Sequence, residues 1–119
     1  DQFYPGTTYH VIQQDDAGIG RLILYVTTEE ILLMDIALLP PFRNGGIGTR
    51  LVQALQDKAR PVGKNIRLYV EGFNPAFRLY QRLGFTTIGE AGLYLEMIWQ
   101  PRADQPVVAP GETMERQTP

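Results

Sequence analysis

The sequence contains no cysteine, no serine and a single histidine, His10. Without cysteine there is no disulfide, no thiolate zinc site and no cysteine nucleophile. Without serine a Ser-His-Asp triad is excluded, and one histidine leaves too few ligands for an ordinary transition-metal site, so no metal is expected. Long apolar runs are missing too. None reaches the roughly 18 to 20 residues of a membrane span, and the first residues lack the basic-then-apolar pattern of a secretory signal. Positive charge is not in excess either, with 11 Lys and Arg against 13 Asp and Glu and a formal net charge of -2. No global field is therefore available to hold nucleic acid or an anionic membrane, and any anion site must be local. These absences leave a soluble, cytoplasmic domain as the expectation, with neither nucleic acid nor membrane as a partner.

What is present fits one domain, because 119 residues are too few for two independent cores. Thr8 to Gln14 and Ile19 to Thr27 have strand character and flank Asp15-Asp16-Ala17-Gly18, a turn composition, so they predict a β-hairpin. Glu30 to Leu39 is a dense apolar run interrupted only by Asp35. It predicts a strand covered on both faces and ended by Pro40-Pro41. Ile47, Leu51, Leu55 and Ala59 then recur every four residues, with Val52 and Ala54 widening the stripe. That spacing predicts an amphipathic helix from Ile47 to Arg60, stopped by Pro61-Val62-Gly63.

Ile66, Leu68 and Val70 alternate with Arg67, Tyr69 and Glu71, the pattern of a half-buried strand. Asn74-Pro75 opens a second helix, with Asn as N-cap, and Gly84 closes it after Leu83. Thr86 to Gly89 and Leu93 to Trp99 complete the fold as two strands around a turn at Glu90-Ala91-Gly92. From Pro101 onward Pro, Gln, Glu and Thr dominate, which predicts a disordered tail over 101–119 behind a single domain at 1–100. The order β-β-β-α-β-α-β-β predicts an α+β fold of the three-layer α/β type. Its sheet is mixed and mostly antiparallel, with both helices as crossovers.

The join between the third strand and the first helix, Leu38-Leu39-Pro40-Pro41-Phe42-Arg43-Asn44-Gly45-Gly46-Ile47-Gly48, concentrates glycine at a helix N-terminus. Glycines let backbone N–H groups converge without a Cβ in the way, and the unpaired amides of the first turn add a positive dipole end. Arg43 can add a charged fork to a phosphate. A nucleotide P-loop is excluded because no Gly-Lys-Ser/Thr follows, and the dinucleotide spacing fails because Leu51 stands where a third glycine is required.

Pro40-x-x-Arg43-x-x-Gly46-x-Gly48 resembles the coenzyme A signature of the GNAT superfamily of N-acetyltransferases, Q/R-x-x-G-x-G/A after a strand ending near a proline. A second block, Asn74-Pro75-Ala76-Phe77-Arg78-Leu79-Tyr80-Gln81-Arg82-Leu83-Gly84-Phe85, is similar to the superfamily's other hallmark at the expected distance downstream. The resemblance covers about Tyr9 to Trp99 and implies acetyl-CoA as co-substrate, with direct transfer of acetyl to a primary amine of a small molecule or peptide.

By that resemblance the backbone amides of Arg43, Asn44, Gly45, Gly46, Ile47 and Gly48 hold the pyrophosphate, with Thr49 in the same helical turn. In such enzymes the preceding strand splays from its neighbour at a bulge, and the pantetheine arm pairs with the main chain at Ile36, Ala37 and Leu38. The Leu38 amide matches the position that contacts the acetyl carbonyl, Asn74 and Phe77 stand with the cofactor contacts, and Tyr80 matches a tyrosine placed near the sulfur. A phenol is protonated at neutral pH and can donate to a departing thiolate, so Tyr80 is the catalytic candidate. Read without the motif, Asn74 is an N-cap and Tyr80 is core filling.

An attacking amine must first lose a proton. Asp35 is the candidate base, as the lone charge within an apolar strand, and a paired structural aspartate is the equal alternative. Glu71 is the second candidate, Glu29 and Glu30 read as a solvated turn, and His10 reads as a surface residue. Tyr94 and Trp99 either shape the acceptor pocket or pack, with Glu96 set toward the opposite face by the two-residue period.

Members of the superfamily usually begin with a strand and one or two helices that wall the acceptor site, whereas here only Asp1 to Thr8 precede the first strand. Either the chain is a fragment, or another subunit covers the exposed sheet edge and apolar face, in which case the expectation is a homodimer covering that region. The alternative to an active enzyme is an acyl-CoA-binding module, a sensor or inactive partner that keeps only the cofactor half.

Overall fold

A computed structural model describes residues 5–101. The first hairpin pairs β1, Gly6–Gln14, with β2, Ala17–Val26, in antiparallel register. Its turn is tighter than the four residues expected. Gln14 pairs with Ala17, and only Asp15 (φ 53°) and Asp16 (φ 68°) make the link. Both lie in the left-handed region, which matches the twist of the flanking strands and which Asp tolerates better than most residues. β3, Glu30–Leu38, follows antiparallel to β2, and Pro40–Phe42 ends it in a single 3₁₀ turn.

Helix α1, Ile47–Ala59, carries the chain over to β4, Asn65–Glu71, which lies parallel to β3. Helix α2, Ala76–Arg82, leads to the antiparallel pair β5, Thr86–Ala91, and β6, Tyr94–Trp99. β6 inserts between β4 and β5, giving the order β1-β2-β3-β4-β6-β5. The sheet is mixed, with one parallel contact at its centre, as the element order implied. The last turn differs from expectation, since Glu90 pairs with Leu95 and Ala91 with Tyr94, leaving Gly92-Leu93 as a two-residue link with Gly92 at φ 63°.

One apolar cluster organises these elements. Leu24 and Val26, Ile31 and Leu33, Ile66, Leu68 and Val70, and Met97 and Trp99 alternate along their strands, so all project from one sheet face. Val52, Leu55 and Ala59 of α1 and Tyr80 of α2 close the cluster from above. Each large aliphatic side chain fully removed from water contributes about 1.5–3 kcal/mol. The described residues therefore form a helix layer over one face of the sheet.

The other face carries Leu32, Arg67, Tyr69 and Glu96 among the described residues, and β3 is not covered on both sides as its apolar run suggested. There Arg67 bridges Glu30 and Glu96. Burial alone would lower the Arg67 pKa, but the bonds to both carboxylates outweigh it and hold the guanidinium charged.

Of the stripe expected on α1, Val52, Leu55 and Ala59 are buried and Gln56 joins them, whereas Ile47 and Leu51 are half-buried and Ala54 is exposed. Gln56 is tolerated there because its amide donates to the Leu83 carbonyl at 2.8 Å, tying α1 to the end of α2. Trp99 belongs to the core, 5.4 Å from the Arg60 guanidinium, while Tyr94 shares the open face with Glu96. The tail expected over 101–119 lies, apart from Pro101, outside the described residues.

Candidate functional site

The sheet opens at its centre. β3 and β4 pair only over Glu30–Leu33 and Asn65–Leu68, and beyond Leu33 and Leu68 the two strands run on unpaired with each other. The cause lies on the other side of β3. Its register with β2 slips between Ile23, opposite Asp35, and Leu24, opposite Leu33, so Met34 is an extra residue in a bulge. A bulge bends its strand and inverts the face pattern beyond it. Ile31 and Leu33 face the core, and after the bulge Ile36 rather than Asp35 packs against it.

The bend leaves main-chain groups facing the gap. Leu39 N–H donates to the Ile19 carbonyl of the β2 side at 2.8 Å. By the two-residue period Leu38 and Ile36 turn their N–H and C=O groups the opposite way, toward the opening. Arg43 meets one of them, donating from Nε to the Leu38 carbonyl at 2.9 Å. The arginine therefore braces the strand end, a role that sequence spacing did not reveal.

The gap leads to the start of α1. Asn44 (φ 63°) and Gly46 (φ 85°) both lie in the left-handed region, which only glycine enters without strain at the N-cap. No side chain caps this helix and no acidic residue occupies its first turn. The unpaired amides and the positive dipole end are thus open to an anion.

A cleft of about 870 Å³ runs from the opening to this helix end. Of the residues expected at a cofactor site, Ile36, Ala37, Leu38, Arg43, Asn44, Gly46, Gly48, Thr49, Asn74 and Tyr80 line it. Gly45, Ile47 and Phe77 do not: Gly45 is on the exposed outside of the loop, Ile47 is half-buried, and Phe77 packs on the core cluster. Sequence reading missed Arg82, which lines the cleft with Ala76 and Leu79. The signal was present, since a spacing of three along a helix puts Ala76, Leu79 and Arg82 on one side.

Asn74 stands both at the start of α2 and at the cleft. Its Oδ1 accepts from the Ala76 N–H at 2.9 Å, and the residue also lines the cleft. Tyr80 stands both in the core and at the cleft. It is 6% exposed and its ring sits 5.6 Å from that of Phe85, yet it borders the cleft. Burial raises the Tyr80 pKa above its ordinary value, and the negative charge of Asp35 raises it further.

A second cavity, about 240 Å³, adjoins the first through shared Ile36, Asn74, Ala76 and Tyr80. It passes the splayed strands toward the open sheet face, where Met34, Asp35, Tyr69 and Glu71 line it. Asp35 is not the isolated charge that its apolar neighbours suggested. Arg21 Nε lies 2.6 Å from its Oδ2, and the carboxylate is about one-third exposed. His10 is remote on the first strand, exposed and bonded to Thr8 Oγ1 at 3.1 Å.

The family model for the acetyltransferase (GNAT) domain matches residues 5–87. No curated protein matches the chain by sequence. Among solved structures, the Escherichia coli ribosomal-protein-S18-alanine N-acetyltransferase superposes with a TM-score of 0.72 at 22% identity, over 83% of this chain and 72% of that one. The PaiA N-acetyltransferase of Thermoplasma acidophilum in complex with coenzyme A gives 0.69 at 22% identity, over 80% of this chain. The Campylobacter jejuni N-acetyltransferase PseH with acetyl coenzyme A gives 0.68 at 23%, over 80% of this chain and 68% of that one. The chain spans 61% of the Thermoplasma protein. These likenesses establish the fold, and the family model, matched over most of the described residues, makes the chain a member of the GNAT acetyltransferase family.

Proposed function

We propose that the chain is an acetyl-CoA-dependent N-acetyltransferase that passes acetyl directly to a primary amine. One observation carries the reading. The splay between β3 and β4 joins unpaired main-chain groups, an uncapped helix N-terminus and the Tyr80 phenol in one cleft of about 870 Å³. That volume falls within the usual range for small-molecule and cofactor sites. The amides at the start of α1 suit a pyrophosphate, and the strand-like stretch Ile36–Leu38 suits an extended amide-bearing arm.

Acetyl-CoA supplies an acetyl group activated as a thioester. In this reading the Leu38 N–H, turned into the opening, stabilises negative charge developing on the acetyl carbonyl oxygen. Tyr80 gives its phenolic proton to the departing thiolate and is reprotonated by solvent, while the acceptor nitrogen sheds its own proton to water. The raised pKa of Tyr80 keeps the phenolic proton in place throughout the physiological range. Asp35 is assigned to the electrostatics of Tyr80 rather than to proton abstraction, because its Oδ2 is already engaged by Arg21 Nε at 2.6 Å and its charge acts on the Tyr80 phenol. The acceptor amine enters from the smaller cavity, on the side of the opening away from the pyrophosphate loop.

Product formation from acetyl-CoA with a panel of diamines, aminoglycosides, amino acids and peptide N-termini tests the proposal. Acetylated product is the expected result. Coenzyme A binding without turnover on any amine would leave an acyl-CoA-binding module.

A further inference from the structure

The smaller cavity holds an asymmetry of charge that the transfer chemistry does not use. On β4, Tyr69 and Glu71 project from the open sheet face, and their cross-strand partners on β6 are Glu96 and Tyr94. Two tyrosines and two carboxylates therefore alternate as a square beside the cavity. Their fates differ. Glu96 is paired with Arg67, which it shares with Glu30, and also accepts from the Tyr69 hydroxyl at 3.3 Å. Asp35, on the facing strand, is paired with Arg21. Glu71 lines the same cavity and has no ion-pair partner among the described residues. Tyr69 and Tyr94, beside it, are 47% and 48% exposed, so ring surface is available next to an uncompensated negative charge.

A carboxylate between exposed aromatic rings attracts a cation twice, by charge and through the ring quadrupoles. The acceptor nitrogen itself must be neutral to attack, so it cannot be the cation held there. We infer that the smaller cavity selects an acceptor with a second, protonated cationic group, bound by Glu71 between Tyr69 and Tyr94 while the first amine reaches the opening beside Tyr80. The inference rests on the transfer reading and adds to it a substrate class, diamines and their cationic relatives. Acceptors bearing a carboxylate near the amine are disfavoured by the same Glu71.

The test compares putrescine with n-butylamine, which share a primary amine and differ in the second ammonium. In the unaltered protein kcat/KM for putrescine exceeds that for n-butylamine by about tenfold, the combined scale of one exposed ion pair and one cation–π contact. In Glu71→Gln the preference falls severalfold, through KM for putrescine, to what the ring contacts alone supply. A preference undiminished in Glu71→Gln, or an equal loss on both amines, overturns the assignment; the second outcome makes Glu71 a base or a structural residue. Calorimetric titration of putrescine into the coenzyme A-saturated protein gives a readout independent of turnover. Binding weakened severalfold by Glu71→Gln sustains the site even if no amine is acetylated, in which case the transfer reading alone fails. No binding, or equal binding by both proteins, removes the site.

Discussion

Arg21 Nε stands 2.6 Å from Asp35 Oδ2 across the β2–β3 ladder, at the place where the Met34 bulge redirects the strand. The pair keeps a negative charge close enough to Tyr80 to raise its pKa. Asp35→Asn should therefore leave substantial turnover and shift the alkaline limb of kcat to lower pH. If the variant instead loses activity on the order of 100-fold at neutral pH, Asp35 is the base.

Replacing Tyr80 by phenylalanine keeps the ring against Phe85 and removes only the proton donor. Turnover should fall about 100-fold while coenzyme A affinity changes little. Parallel loss of affinity and melting temperature would assign Tyr80 to the core.

The same phenol makes a prediction about stability. Its folded pKa lies above the ordinary value near 10, so the folded state retains a proton that the unfolded state releases. The stabilisation is complete below pH of about 10 and is lost as pH rises through the folded pKa. Thermal melting across that window should show a decline in the parent that is reduced in Tyr80→Phe.

Gly20 faces Leu38 across the ladder, and a Cβ there would stand 2.3 Å from the Ala37 carbonyl oxygen. Backbone must move to admit it, and the backbone that moves belongs to the strand lining the cleft. Gly20→Ala should cost about 1–3 kcal/mol, read in denaturant unfolding, and should weaken coenzyme A binding as well. Unchanged values of both would refute the close approach.

Arg82 lines the cleft on α2 beside Leu79. Arg82→Gln should weaken coenzyme A about tenfold, equivalent to about 1.4 kcal/mol, with the loss diminishing in high salt.

Much of this architecture was legible from periodicity. Alternation along Ile66 to Val70, the four-residue recurrence from Ile47 and the glycine and proline punctuation gave every strand and helix within a few residues. The opening at the sheet centre was not legible from the residues themselves, because Ile31 to Leu39 is apolar almost throughout and has no period that a bulge could interrupt. Only pairing with β2 decides that Met34 is extra, and with it which face Asp35 takes. Arg21 and Asp35 are 14 residues apart, and Glu71 meets Tyr94 through a non-consecutive strand pairing. Such neighbours are set by tertiary register, which no local pattern encodes. Trp99 and Tyr94 divide between core and open face for the same reason that strands alternate, and five residues of separation places them oppositely.

The central claim is that the uncapped start of α1, reached through the β3–β4 opening, holds coenzyme A. Calorimetric titration of coenzyme A into the parent protein and into Gly46→Val tests it most directly, since Gly46 sits at φ 85° where a β-branched residue is strained. The account predicts saturable one-to-one binding in the parent and at least a tenfold loss in the variant, about 1.4 kcal/mol or more. No binding in the parent, or equal affinity in a folded Gly46→Val, would contradict it.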